Sequence, residues 1–116
     1  MKNLILLILI SLSSITNMFS QEAFVGQWFV EGDTVETVIT YHAELDELRV
    51  VVFDLKQNQV IEEKILSYNE NMIKTSLVNP RNGFTASMTY TVVSKDELRV
   101  EWIDADQETH IDKYFR

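Results

Sequence analysis

The chain reads as an all-β domain: an antiparallel meander of about eight strands, closed as an up-and-down barrel or, alternatively, folded as a two-layer sandwich. Three observations predict it. From Trp28 onward apolar residues recur with period two, the repeat that places alternate side chains on opposite faces of a strand. Clusters of turn-forming residues break that pattern repeatedly. The stretches between runs are too short for parallel crossovers, and beyond the N-terminal apolar run no segment sustains an apolar i, i+3, i+4 spacing, so helix content should be low.

The first strand lies near Gln27 to Val30 and the second at Val35 to Tyr41, parted by Glu31-Gly32-Asp33. Leu48 to Leu55 and Val60 to Leu66 follow, with Leu45-Asp46-Glu47 before the pair and Gln57-Asn58-Gln59 inside it. Met72 to Val78 is the fifth strand, after Asn69-Glu70-Asn71. The sixth, Phe84 to Val93, has the cleanest alternation: Phe84, Ala86, Met88, Tyr90 and Val92 on one face, hydroxyl-bearing residues on the other. Before it, Asn82-Gly83 predicts a type I′ hairpin turn, since both residues tolerate positive φ, and Pro80 must stand outside or at the end of its strand. Leu98 to Ile103 and His110 to Phe115 complete the set, separated by Asp104 to Gln107. A sheet of this kind must hide its edges, and barrel closure does so completely.

An internal echo accompanies the pattern. Residues 46–61, DELRVVVFDLKQNQVI, match residues 96–111, DELRVEWIDADQETHI, at eight of sixteen positions. Each copy is strand, tight turn, strand. Duplication and convergence of like hairpins both explain it, and either predicts two similar hairpins.

Residues 1–20 have the layout of an export signal: Lys2 as a positive start, an apolar run from Leu4 to Leu12 interrupted by Ser11, and a small, polar approach to cleavage after Ser20. A span needs about 20 apolar residues, so this run is too short for a permanent anchor. The chain has no cysteine, which excludes a lipid-modified cysteine and disulfides. The expected product is a single soluble domain, residues 21–116, periplasmic or secreted, with 41 apolar residues among its 96. Net charge is −8 for the whole chain, and loss of Lys2 would make it −9. Such acidity serves solubility and argues against nucleic acid and anionic lipid surfaces as partners.

The segment Phe24-Val25-Gly26-Gln27-Trp28-Phe29 resembles the Gly-x-Trp opening of lipocalins and of small bacterial lipocalin-like domains. In that family the tryptophan plugs one end of an eight-strand barrel, and a basic residue near the last strand often packs on it; Arg116 or Arg99 would fill that role here by cation–π contact. The resemblance implies a cup for a small hydrophobic or amphipathic ligand. The chain departs from the family in its shortness and its lack of an evident C-terminal helix, which imply a shallower cup or an interior filled by side chains. The aromatic candidates for lining a cup are Trp28, Tyr41, Phe53, Tyr90 and Trp102, with plain core packing as their competing role.

Other chemistry finds little support. The acidic run from Asp104 to Asp112 has oxygens at strand spacing but lacks the turn glycine of a helix-loop-helix calcium site, and reads as a solvated acidic turn. The two histidines, His42 and His110, have no second ligand nearby in sequence for zinc. No serine sits in a nucleophile elbow, and carboxylates are too plentiful for any one pair to stand out. No catalytic residue, metal or cofactor is therefore assigned. The competing reading is a cell-envelope interaction or structural domain with a filled core. Val51, Val52 and Phe53 put apolar groups on both faces of the third strand, as cover by a protein partner or a second copy would require.

Overall fold

Trp28 and Arg116 close one end of the molecule, and the way the strands are strung between them leaves the other end open. The computed structural model describes residues 22–116, so residues 1–20, expected from the sequence to be an export signal, lie outside the described residues. The strands are β1 (Gly26–Val30), β2 (Val35–His42), β3 (Glu47–Asp54), β4 (Gln59–Tyr68), β5 (Met72–Val78), β6 (Thr85–Ser94), β7 (Glu97–Asp104) and β8 (Thr109–Phe115). Each pairs antiparallel with the next, and β1 also pairs with β8, so the sheet is a closed up-and-down barrel and not a two-layer sandwich. Register shifts between Ile65 and Ser67 in β4 and between Val92 and Ser94 in β6 are the irregularities that let two ten-residue strands bend around the closure.

Period two in the sequence becomes inside and outside in the barrel. Leu48, Val50 and Val52 of β3, Ala86, Met88 and Tyr90 of β6, and Leu98 and Val100 of β7 are all buried, with more exposed residues between them. Phe53 stands on the opposite parity from Val52 and faces outward, so it does not line the interior, contrary to the expectation from its apolar character. Its registered neighbours are Glu36 and Val60.

The echo at offset 50 is structural. β3 and β7 begin at Glu47 and Glu97 and end at Asp54 and Asp104, and a four-residue connection follows each. Asp54 Oδ1 accepts the amide of Lys56 at 3.1 Å, and Asp104 Oδ1 accepts that of Asp106 at 2.9 Å, the same side-chain turn in both hairpins. Positive φ falls at Asn58 in one turn and one equivalent position earlier, at Gln107, in the other.

The β5–β6 connection departs from expectation. A type I′ turn needs positive φ at both central residues, but of the Asn82-Gly83 pair only Gly83 has it, at 75°. The connection is wider: the Asn79 amide donates to Phe84 O and the Gly83 amide to Asn79 O, both at 2.8 Å. Asn82 Oδ1 accepts the Phe84 amide at 2.9 Å. Pro80 sits in this loop, beyond the end of β5, where its missing donor costs no ladder hydrogen bond.

At the closed end Trp28 is fully buried and its indole donates to Phe24 O at 2.8 Å. The Arg116 guanidinium lies 4.3 Å from the Trp28 ring centroid and donates to Val25 O at 2.6 Å, Lys95 O at 2.7 Å and Ala23 O at 3.3 Å. Gly26 makes room for it: a Cβ there would stand 3.0 Å from Arg116 Nη1, and its φ of 150° suits glycine. Arg99, the other candidate for the ring, instead pairs with Glu101 on the outside at 3.5 Å.

Candidate functional site

Beyond the plug the interior is filled in the middle and hollow at the opposite end. There a cavity of about 250 Å³ opens among the connections, bounded by inward side chains from β2 through β8. Val52, Leu77, Met88, Phe84, Trp102 and Tyr114 supply its apolar wall. The rim is braced by polar ties. Gln59 Nε2 donates to Asn79 Oδ1 at 2.8 Å, and Arg81 Nη1 reaches across to Gln57 O at 3.0 Å, joining the β3–β4 turn to the β5–β6 loop.

Three carboxylates also line this cup: Asp54, Glu63 and Asp112, and no lysine or arginine is among the described residues that line it. Glu63 is the most unusual. Inward parity on β4 leaves it 2% exposed, the one buried carboxylate among the described residues. Its Oε1 accepts the Thr75 hydroxyl in a short hydrogen bond, and the Tyr90 hydroxyl donates to it at 2.7–2.8 Å. Burial pushes the Glu63 carboxyl up, and the two hydroxyls pull partly back by stabilising its charged form. The phenols respond in turn. Burial and then the Glu63 charge push Tyr90 well above the ordinary tyrosine value, and the same two causes raise Tyr114.

Asp112 and Trp102 form the second part of the site. Trp102 Nε1 donates to Asp112 Oδ2 at 2.9 Å, fixing an indole that meets the Phe84 ring in a T-shaped contact at a 6.1 Å centroid distance and stacks on the His110 ring at 4.0 Å. His110 Nε2 lies 3.0 Å from Asp104 Oδ2, and that contact is the main reason the Asp104 carboxyl is held below the usual carboxylate range. Ligand atoms of Asp104, Glu108 and His110 fall within 4.8 Å of one another. Asp104 Oδ1 is already engaged as turn acceptor for the amides of Asp106 and Glu108.

The five aromatic candidates are thus spread over the molecule. Trp102 lines the cup. Tyr90 lies beneath it in the core, its hydroxyl on Glu63. Trp28 is the plug of the far end. Tyr41 is also at that far end, where its hydroxyl and that of Tyr68 donate to Asp46 Oδ1 at 2.6 and 2.7 Å, lowering the Asp46 carboxyl and raising Tyr68 to about 12. Two depressions of about 330 Å³ each adjoin Tyr41, but among the described residues each is lined by one or two neighbouring segments and not by the barrel interior. Phe53 is on the outer face. Sequence reasoning missed Glu63, which stands in an ordinary-looking Glu62-Glu63-Lys64 run. Strand parity was the available signal: counting by twos from Val60 to Leu66 puts Glu63 on the face opposite Glu62.

The fold and cup define a closed eight-strand barrel with one end plugged and one end hollow. Comparison with protein-family models, with curated proteins and with solved structures found no match to this chain.

Proposed function

We propose that this protein is a binding barrel that holds a small amphipathic molecule in the open-end cup. The cavity of about 250 Å³ carries the reading. By the scale on which benzene occupies a cavity of about 150 Å³, it takes a ligand of roughly ten non-hydrogen atoms, well short of a long-chain lipid. The cup combines an apolar wall with a few fixed polar groups, the usual make-up of a small-molecule site. The lipocalin-like Gly26-x-Trp28 opening under Arg116 supports the same reading, and the signal-like residues 1–20 support delivery of the barrel outside the cytoplasm.

Native mass spectrometry of the protein purified from its own host tests it, together with Trp102 fluorescence titrations with small aromatic and short aliphatic compounds. A retained small mass or a saturable fluorescence change is expected. Neither with any compound, and no thermal shift, would overturn the reading.

A second reading rests on a different surface. Phe115, Phe29, Phe53 and Val60 follow one another across the registered outer faces of β8, β1, β3 and β4, interrupted by Glu36, with Phe29 48% and Val60 62% exposed. An apolar outer row of this kind suits a protein partner or a second copy. Under this reading Phe53→Glu shifts the sedimentation coefficient of a purified oligomer to that of the monomer; an unchanged value removes Phe53 from the interface.

A further inference from the structure

Resting on the cup reading, we infer that the cup selects an organic cation, an amine on a small aromatic or branched aliphatic body, with its ammonium at Glu63 and its body against Trp102. Three observations carry this. First, the carboxylates lack positive partners. The ion pairs among the described residues are Arg49–Glu62 and Arg99–Glu101, beside the His110–Asp104 contact, and none of the three includes Asp54, Glu63 or Asp112. A buried carboxylate needs a compensating charge or strong hydrogen bonds, and Glu63 has only two hydroxyl donors while bordering an open cavity. Secondly, the geometry suits an amphipathic cation. The carboxylate is at depth, Trp102 and Phe84 stand nearer the mouth beside the β7–β8 turn and in the β5–β6 loop, Tyr114 adds a further ring to the lining, and electron-rich ring faces attract cations as well as apolar groups. Thirdly, the surrounding field has the matching sign. Eighteen acidic against ten basic residues draw cations toward a low-dielectric cleft and repel carboxylates and phosphates.

An ammonium entering this cup becomes the missing partner. It donates to the Glu63 carboxylate and stabilises its ionised form, while the Thr75 and Tyr90 hydroxyls keep the acceptor oxygens aimed. A neutral isostere finds the same wall but leaves the carboxylate unpaired. An anionic one adds like charge beside Asp54 and Asp112.

The test is a set of three matched probes, 2-phenylethylamine, 2-phenylethanol and phenylacetate, titrated calorimetrically near neutral pH into the purified protein and its Glu63→Gln variant. The amine should bind at least about tenfold more tightly than the alcohol, since a hydrogen bond to a charged group is worth a decade or more in affinity, and phenylacetate should bind most weakly. Glu63→Gln should bring the amine down to the affinity of the alcohol and leave the alcohol within about threefold of its wild-type value. If alcohol and amine bind equally, or Glu63→Gln leaves the amine unaffected, cation selection is wrong while the cup reading stands. If none of the three binds, the cup reading fails and this inference with it. Should Glu63→Gln not fold, the wild-type order of the probes decides, because only cation selection puts the amine first.

Discussion

Glu63 shows how one inward carboxylate sets the pH behaviour of the whole interior. Burial raises its carboxyl above 4.5, the ordinary glutamate value, so the folded protein holds that proton to a higher pH than the unfolded chain does. The stability that neutral Glu63 permits is therefore complete below the unfolded value and is lost as pH rises through the folded one. Chemical denaturation of Glu63→Gln beside wild type should accordingly show a gain at neutral pH that shrinks as pH falls through the raised folded value toward 4.5 and is constant below it; a difference independent of pH would contradict the assignment. Gly26 acts at the same scale by absence. Alanine there must adopt a φ near 150° and displace Arg116 from the Trp28 ring, so Gly26→Ala should cost about 1–3 kcal/mol by urea titration. Both residues belong to one lesson about legibility. Gly26 and Trp28 stood out in the sequence because together they form the Gly-x-Trp pair, whereas Glu63 was hidden between charged neighbours, Glu62 and Lys64, and only the face it occupies distinguishes it.

Elements were more readable than sites because period two is a property of a whole strand and survives a misplaced residue. All eight strands lie within about two residues of their expected bounds, and the paired hairpins of β3–β4 and β7–β8 repeat their ends at the same offset as their sequences. Turns were less readable. Asn82-Gly83 carries the strongest short signal in the chain, yet Asn79 captures the loop with its own backbone and side chain, and the result is a wider connection. Gly83 still keeps a φ of 75° with open space around a would-be Cβ. Gly83→Ala should therefore cost about 1–2 kcal/mol through the left-handed backbone alone, without disturbing the cup. A larger loss, or a change in probe binding, would show that the loop is tied to the cavity more tightly than its hydrogen bonds indicate. The candidate aromatics divide on the same principle. Alternation assigns faces but not height along the barrel, so it could not separate Trp102 at the mouth from Trp28 at the plug or Tyr41 beside it.

For the whole molecule the decisive feature is closure, and closure is uneven. β1 and β8 meet in two registered pairs, Phe29 with Phe115 and Val30 with Tyr114, whereas every other neighbouring pair of strands shares at least four. Amide hydrogen exchange should therefore be fastest, among strand residues, along β1 and the end of β8, and slowest in β6 and β7. Equal protection in all four would mean that the Arg116 contacts hold the seam as firmly as a full ladder. The seam also joins residues 86 positions apart, a closure that costs about 4 kcal/mol in chain entropy beyond a constant, while the other pairings form between neighbours in sequence. Folding is therefore expected to run from the hairpins outward and to close last at this joint. Until it does, the chain is an open sheet with two bare edges complementary to each other. In concentrated solution the β8 edge of a neighbouring molecule presents the same partner to β1, so exchange of a terminal strand between two copies is the misassembly to which this barrel is most exposed.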